Sequence, residues 1–292
     1  MTPASSTEEF VAHRDLLFTV AYEMLGSAAD AEDVLQDVWL RWVADDRGHV
    51  RDPRAYLVRI TTRLSLNRMR TLARRREDYV GPWLPEPLLT SPDVAEDAVL
   101  AESVSTAMLL VLEMLGDVER VVFVLREVFE LDFTEIAEAI GKSPAATRQI
   151  AHRARQHVAA RRPRAVVSHQ EQRDVVERFR SAAVTGDLQQ LADVLAPNVV
   201  LLSDGGGKVQ AALHPIYGVE KVLRFLAGVR PDSLTLEPTW LNGSPSLRFI
   251  VDGEVDTVGS ALIEDGRVTA LYLVRNPDKL ARVNGPTALA RA

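Results

Sequence analysis

The chain has 292 residues, of which 47% are apolar and 26% are charged, and it contains no cysteine. This length is enough for two or three domains of a globular protein. The absence of cysteine excludes disulfides, thiol chemistry and cysteine-ligated metal sites. No apolar run reaches the ~18–20 residues of a membrane helix, and the acidic N-terminus lacks a signal-peptide core. We therefore expect a soluble, cytoplasmic protein with no membrane association.

The net charge of −7 conceals two basic segments in an otherwise acidic chain. The first holds nine arginines and almost no acid: Arg51, Arg54, Arg59, Arg63, Arg68, Arg70, Arg74, Arg75 and Arg76. The second has no acid at all: Lys142, Arg148, Arg153, Arg155, Arg161, Arg162 and Arg164. Arginines without acidic partners repel one another in the free protein, which favours an anionic partner such as the phosphates of a nucleic acid. Two basic segments predict two contacts on one polyanion.

The N-terminal third is predicted to be helical. A helix over residues 8–25 ends at Gly26, and Ser27 is placed to cap a second helix. Apolar residues of this second helix fall on one face at Leu35, Val38, Trp39 and Trp42. Its other face is polar and mostly acidic: Asp30, Glu32, Asp33, Gln36 and Asp37. That face is either the solvated side of a core helix or a contact surface.

A polar loop, Asp45–Asp52, precedes the first basic segment. Asp52–Pro53 is a typical helix start, and the helix is predicted to run to about Arg76. Its arginines recur at helical spacing and form a charged stripe, whereas Leu57 and Leu64 lie on the inner side.

The segment Tyr79–Leu89 separates the two basic regions. Pro82, Pro85 and Pro87 exclude a helix and favour an extended path. A slack linker would be rich in Gly and Ser, without Trp83 and three leucines. The segment is either a rigid spacer whose tryptophan packs on a neighbouring helix, or a segment that docks on a surface.

Beyond this segment, helices are predicted over 94–116 and 118–130, followed by a helix-turn-helix. The first of its helices starts through Thr134, Gly141 forms the turn, and Ser143 caps the second helix. The outward positions of the second helix suit a major groove: Lys142, Ser143, Ala145, Ala146, Arg148, Gln149, His152, Arg153 and Gln156. A generic pair of antiparallel helices is the alternative.

From about Ser168 the pattern changes to two helices followed by strands, with one further helix predicted at 218–226. Strands are predicted at 199–203, near 209–217, and at 234–241, 246–251, 255–263 and 268–274. Asp252–Gly253 and Asp265–Gly266 are hairpin turns. Helices followed by an antiparallel meander predict a small α+β domain with a curved sheet.

These patterns together resemble the extracytoplasmic-function (ECF) sigma factors. The resemblance rests on the run from Asp30 to Arg41, on Asp52–Leu57, and on the helix-turn-helix. Three further motifs, Trp83–Pro87, Asp204–Lys208 and Asn276–Leu280, resemble the subgroup with a fused C-terminal SnoaL-like domain. The implied fold is multidomain: sigma domain 2 (1–78), a Pro-rich linker (79–103), sigma domain 4 (104–165) and an α+β SnoaL/NTF2-like domain (166–292).

The resemblance implies partners for the residues already singled out. The polar face of the second helix, with Arg41, would contact the β′ clamp helices of core RNA polymerase, and the helices before the helix-turn-helix would touch the β flap. The loop 45–52 and the following helix would recognise and help melt the −10 promoter element through Arg54, Arg59, Arg63, Asn67 and Arg70. The recognition helix would bind the −35 element. The family often has Asn and Asp where this chain has Arg63 and Asn67, so the promoter sequence does not carry over.

The three motifs imply regulation in cis by the C-terminal domain. Their residues are predicted to converge on the linker: Trp83, Leu84, Pro85, Glu86, Pro87, Asp204, Gly205, Gly206, Gly207, Lys208, Asn276, Pro277, Asp278, Lys279 and Leu280. We expect no catalytic residues, cofactor or metal, and a monomer when free. An unidentified small ligand in the SnoaL-like domain is an open alternative.

SnoaL-like folds include cyclases and isomerases, so an enzymatic role must be weighed. The available polar or aromatic candidates are Asp204, His214, Tyr217 and Trp240. Acid–base catalysis needs a carboxylate and a partner converging on one reacting atom. The rival function is a helix-turn-helix regulator fused to a ligand-binding or isomerase-like domain.

Overall fold

The chain forms two compact units. One is helical and comprises Met1–Glu77, Met108–Arg162 and Ala288–Ala292; the other is α+β and comprises Asp78–Ala107 and Pro163–Thr287. The computed structural model describes residues 6–45, 50–162, 167–229, 231 and 233–291. No helix in these ranges is long and apolar enough to cross a membrane.

The helical unit begins with three packed helices, α1 (Ser6–Leu25), α2 (Ala28–Ala44) and α3 (Pro53–Glu77). The predicted caps are present. Ser27 Oγ accepts the Asp30 N–H at 3.2 Å, and Asp52 Oδ1 accepts the Ala55 N–H at 3.1 Å. Leu35, Val38 and Trp42 of α2 are buried, as their spacing predicts.

The rest of this unit contains most of α5 (Thr106–Glu113), then α6 (Asp117–Phe123), a π-helical turn at Val124–Val128, α7 (Phe133–Ile140) and α8 (Pro144–Ala159). Arg120 on α6 is only 3% exposed. Its guanidinium donates to the carbonyls of Met24 and Leu112, each at 2.9 Å, and to the Glu113 carboxylate at 2.6 Å. Burial lowers the pKa of Arg120 to about 10, yet the bonds satisfy this cation inside the unit.

The helix-turn-helix is confirmed, with one correction at its start. Asp132, not Thr134, is the N-cap of α7, and Glu135 completes a capping box. Gly141 has a left-handed conformation with φ 68°, which a glycine adopts at low cost. Ser143 Oγ caps α8 by accepting the Ala146 N–H at 3.2 Å.

The single helix predicted over 94–116 is wrong. The chain instead forms a 3-10 turn at Pro92–Glu96, the short helix α4 (Ala98–Ser103), and then α5. Asp97 caps α4 by accepting two backbone N–H groups at 3.1 Å. The Asn242 amide binds the Val104 carbonyl at 2.9 Å, so a distant side chain holds the backbone where the helix breaks.

The α+β unit has helices α9 (His169–Thr185), α10 (Leu188–Val194), α11 (Val219–Gly228) and α12 (Pro277–Leu280). Its strands are β1 (Leu195–Asp204), β2 (Ile216–Tyr217), β3 (Thr235–Leu241), β4 (Ser244–Val251), β5 (Glu254–Glu264) and β6 (Arg267–Val274). They form one sheet in the order β2-β1-β6-β5-β4-β3. Its apolar core includes Val175 and Phe179 of α9 and Leu201 of β1.

Two features of the sheet differ from the prediction. β3 to β6 form the antiparallel meander, but β1 lies parallel to β6, with Asp204 opposite Val274. The strand predicted near 209–217 is reduced to Ile216–Tyr217. The Lys208 N–H donates to the Gly205 carbonyl at 3.0 Å and closes a tight turn. The Gln210 carbonyl accepts a hydrogen bond from the Arg275 side chain. These backbone groups therefore do not pair with a neighbouring strand.

Candidate nucleic-acid interface and linker-docking site

The polar face of α2 is only partly available for a partner. Arg68 donates to Asp30 at 2.7 Å and to Asp33 at 2.8 Å, and Arg14 pairs with Glu32 at 2.7 Å. The three remaining predicted residues, Gln36, Asp37 and Arg41, are exposed. The Arg14–Glu32 and Arg68–Asp33 pairs are largely exposed. Such pairs are worth about 0–1 kcal/mol each, so a partner can displace them at little cost.

Two arginines of α3, Arg59 and Arg63, lie against α7. Arg63 donates to the carbonyls of Glu138 and Ala139 at 2.9 and 3.3 Å, and Arg59 lies 3.5 Å from the Glu138 carboxylate. Asn67 and Arg70 are exposed, and Arg54 is half-buried. Two arginines predicted to bind DNA are therefore occupied by the last turn of α7, whose carbonyls attract cations. The sequence carried no signal for this contact.

Two of the sequence-based expectations lie partly outside the described residues. Residues 46–49 of the loop assigned to DNA melting are among them, as are Pro163 and Arg164 at the end of the second basic segment.

The recognition helix α8 presents the predicted surface. Lys142, Ser143, Ala145, Arg148, Gln149, His152 and Arg153 are all exposed. On the opposite side, Ile150, Ala151, Ala154 and Val158 are buried. The Arg148 guanidinium lies 5.5 Å from the centre of the Phe133 ring, and Arg153 lies 3.4 Å from Glu119. These weak contacts leave the helix face open to a polyanion.

The Pro-rich segment is docked within the α+β unit. Leu84, Pro85, Glu86, Pro87 and Leu88 are all buried. The Thr90 N–H donates to the Trp240 carbonyl at 3.1 Å, and Leu89 forms a bridge to Leu241 at the end of β3. The spacer alternative expected the tryptophan to pack on a neighbouring helix, whereas here residues 84–88 are buried, which agrees with the docking interpretation.

Asp204, at the end of β1, is the centre of this docking. Its carboxylate is fully buried and accepts four hydrogen bonds. Two come from the linker, from Tyr79 Oη at 2.6 Å and the Leu84 N–H at 2.9 Å. The others come from the Gly206 N–H at 3.0 Å and from Lys279 Nζ at 2.7 Å. Burial, together with the hydrogen bond to Asp204, raises the pKa of Tyr79 well above its usual value, so Tyr79 is a stable donor.

The other two motifs complete the same site. Lys279 lies over the Trp83 ring, 4.4 Å from its centre, in a cation–π arrangement. Asn276 Nδ2 donates to Tyr79 Oη at 2.9 Å, and Lys208 pairs with Asp278 at 2.5 Å. Pro277 and Leu280 begin and end the short helix α12.

The glycines of the motif permit close approach. A Cβ at Gly205 would lie 2.6 Å from the Val209 carbonyl oxygen, and one at Gly207 would lie 3.0 Å from Val80 Cβ. A Cβ at Gly206 would overlap the side-chain amide of Asn276. The three motifs are thus brought together around one buried carboxylate.

Sequence reasoning missed a second anchor at Asn242. Its Oδ1 accepts the Leu88 N–H at 3.0 Å, and its N–H donates to the Leu88 carbonyl at 2.9 Å. Asn242 and Gly243 have positive φ values of 52° and 71°. The pair forms the β3–β4 turn and is a typical Asn-Gly hairpin signal, which could have located the turn but not its contact with the linker.

The four candidates for catalysis do not converge. Asp204 is engaged by the linker, and Trp240 packs on His169 with ring centres 5.9 Å apart. His214 and Tyr217 are exposed. The unit contains a cavity of about 610 Å³, and none of these four residues lines it.

Comparison with known proteins gives a consistent result for the whole chain. Family models for sigma-70 region 2 and sigma-70 region 4 match residues 10–75 and 105–158. The ECF RNA polymerase sigma factor SigJ of Mycobacterium tuberculosis is 37% identical over 93% of this chain and 92% of its own length. The probable ECF sigma factor SigI of the same species is 32% identical over 92% of both chains.

The fold agrees with one of these relatives. The crystal structure of Mycobacterium tuberculosis SigJ matches with a TM-score of 0.76 and 35% identity. The match covers 95% of this chain and 99% of that one.

Proposed function

This chain belongs to the extracytoplasmic-function RNA polymerase sigma factors. We propose which of its surfaces bind core polymerase, which bind promoter DNA, and which regulate transcription initiation. It is an alternative sigma factor with sigma-70 regions 2 and 4 and a C-terminal SnoaL-like domain. Matches to both regions, in order, favour this function over a stand-alone helix-turn-helix regulator.

Core RNA polymerase and promoter DNA are the partners. In our proposal, α2 binds the β′ clamp helices through its exposed residues Gln36, Asp37 and Arg41, and α8 binds the −35 element. The exposed residues Asn67 and Arg70 of α3 bind the −10 element, and Arg59 and Arg63 join them when DNA displaces their contacts with α7. Transcription in vitro with core polymerase tests the sigma function. Failure to bind core, with binding of duplex DNA by the free chain, would instead support the stand-alone regulator.

The C-terminal domain controls this activity in cis by holding the linker between regions 2 and 4. The observation that carries this proposal is the burial of Leu84–Leu88, with Leu84 bonded to the buried Asp204 carboxylate. A linker held at Asp204 and Asn242 has fewer accessible paths than a free one. The docked segment therefore restricts how far apart the two DNA-binding regions can move.

Replacement of Trp83 by Ala tests the proposal. The change removes the ring that faces Lys279, a contact of about 0.5–2 kcal/mol. We expect promoter-specific transcription by the full-length protein to change by at most about two- to thirtyfold, the range that this contact energy corresponds to. The same substitution in a chain truncated after residue 165 has no docking site to lose and should leave output unchanged. Trp83→Tyr, which keeps an aromatic face, is the matched control. Unchanged output in both lengths of chain would contradict the docking role.

A further inference from the structure

We propose that the cavity of the SnoaL-like unit binds an uncharged, mainly apolar small molecule through one polar oxygen, and that its binding tightens the hold on the linker. This inference rests on the proposed role of linker docking. The cavity has a volume of about 610 Å³ and lies between the helices and the sheet. Volumes of this size suit a drug-sized ligand.

The walls of the cavity specify an apolar body for the ligand. Phe179 of α9, Phe225 of α11 and Phe249 of β4 line it, together with Leu191 and Leu273. Contact with these side chains removes apolar surface from water, which is favourable by roughly 25 cal/mol per Å². A molecule with extended polar surface would lose hydration here without gaining partners.

The charged groups of the cavity are already neutralised. Arg275 donates to both oxygens of Asp256, at 3.1 and 2.7 Å. Its remaining terminal nitrogen donates to the Gln210 carbonyl at 2.5 Å. Burial alone would raise the pKa of Asp256, but the bonds from Arg275 and Thr257 outweigh it and lower that pKa. An anionic ligand would have to displace Asp256 from Arg275, so an uncharged ligand is favoured.

Ser203 supplies a hydroxyl group that could bond to a ligand. This residue lines the cavity and is only 1% exposed. Across the described ranges, its buried Oγ has no hydrogen-bond partner. Buried polar groups are normally bonded, and a serine hydroxyl can donate to a carbonyl or accept from a hydroxyl. A ketone, ester or hydroxyl oxygen on the ligand would satisfy it.

The same two strand ends serve both the cavity and the linker. Ser203 lines the cavity, and the next residue, Asp204, binds Tyr79 and Leu84 of the linker. After β6 the arrangement repeats: Arg275 lines the cavity, and the next residue, Asn276, binds Tyr79. The N–H groups of Arg275 and Asn276 both donate to the Asp204 carbonyl, at 2.7 and 2.9 Å.

This arrangement sets the direction of the coupling. A ligand that fits the cavity stabilises the conformation in which both strand ends take the positions seen here. That conformation also holds the linker. Ligand binding therefore favours the docked linker. The added stability of the docked conformation depends on the ratio of the ligand concentration to its dissociation constant.

The test uses the full-length protein and the probe prodan, an uncharged naphthalene that carries one ketone. We expect saturable binding at one site per chain, seen as a blue shift of prodan fluorescence. Ala183→Leu, which places a larger side chain in the cavity, should weaken binding, and Ser203→Ala should weaken it about fivefold. Ser181→Ala, an exposed serine on α9, is the matched control and should bind as the parent does.

The coupling is measured separately by hydrogen exchange of the amides in residues 79–90. At ten times the dissociation constant, we expect exchange to slow by up to about tenfold in the parent protein. At the same prodan concentration, the Ala183→Leu variant, with its fold checked by circular dichroism, should show a smaller change.

Each other outcome overturns a defined part of the inference. Equal prodan affinity in parent and Ala183→Leu proteins would overturn the site, as would the absence of saturable binding. Equally tight binding of the anionic probe anilinonaphthalene sulfonate would overturn the preference for an uncharged ligand. Binding without any change in exchange would overturn the coupling. The Trp83→Ala transcription test needs no ligand, so failure here leaves linker docking itself standing.

Discussion

Asp204 is a fully buried carboxylate whose lost hydration is replaced by four donors. An isolated buried charge costs several kcal/mol, so such groups persist only when paired and hydrogen-bonded. Lys279 supplies the compensating charge, and Tyr79, Leu84 and Gly206 supply neutral donors. Because two of these donors belong to the linker, the carboxylate is fully satisfied only when the linker is docked.

Replacement of Asp204 by Ala should therefore destabilise the C-terminal unit and release the linker. Removal of one partner from a buried ion pair costs about 3–5 kcal/mol, because the other charge is left buried. We expect a loss of this size in the free energy of unfolding, and faster proteolysis within residues 79–90. Asp252→Asn, at an exposed hairpin position with positive φ, is the control and should change neither measurement.

At the scale of elements, the tight turn after β1 depends on glycines, because they have no Cβ. Gly206 has φ 59°, and an added Cβ would overlap the Asn276 amide that binds Tyr79. Gly253, in the β4–β5 turn, has φ 86°, but a Cβ there would meet no atom within 4 Å. Both glycines have a positive φ, but only at Gly206 would a Cβ meet neighbouring atoms.

This difference predicts unequal effects of alanine at the two positions. Both substitutions incur the left-handed backbone strain, about 1–2 kcal/mol. Gly206→Ala also displaces Asn276, and it should increase hydrogen exchange of residues 79–90 and alter transcription as Trp83→Ala does. Gly253→Ala should lower stability alone. If the two variants gave the same exchange pattern in the linker, the turn would act only through its backbone conformation.

At the scale of the whole molecule, DNA binding depends on where the charges lie more than on the net charge. The chain carries 34 basic and 41 acidic side chains. Yet Lys142, in the turn before α8, and Arg148 and Arg153, on α8, are exposed, and α8 contains no acidic residue. A polyanion interacts mainly with the basic residues next to it, because salt screens charges beyond about 8–10 Å. An acidic protein can therefore bind DNA.

Arg148→Ala should reveal this patch through the salt dependence of promoter binding by the holoenzyme. Each phosphate contact contributes about 0.9 to the slope of log K against log salt, so losing one should reduce the slope by about that amount. If Arg148 binds a base, affinity for the −35 sequence falls by about 1–3 kcal/mol instead, with relaxed specificity. Arg224→Ala, which removes an exposed charge on α11, should change neither. Equal slopes together with equal −35 affinities for both variants would contradict the placement of Arg148 at DNA.

The sequence by itself determined what depends on neighbours along the chain. Caps at Ser27, Asp52 and Ser143, the left-handed Gly141 and the hairpin turns follow from local conformational preferences, and the structure confirms them. The apolar spacing of α2 predicted its buried face. The resemblance in three short motifs also predicted which segments meet at the linker, although not the atoms that join them.

Only the tertiary structure decided the contacts between distant residues. Three of the four bonds to Asp204 join residues more than 60 positions apart. The same is true of the second anchor at Asn242, the helix break held at Val104 and the parallel pairing of β1 with β6. The pairing of Arg63 with the end of α7 is of the same kind. Local propensity carries no information on such pairs, because their energy comes from burial and hydrogen bonding that exist only in the folded chain.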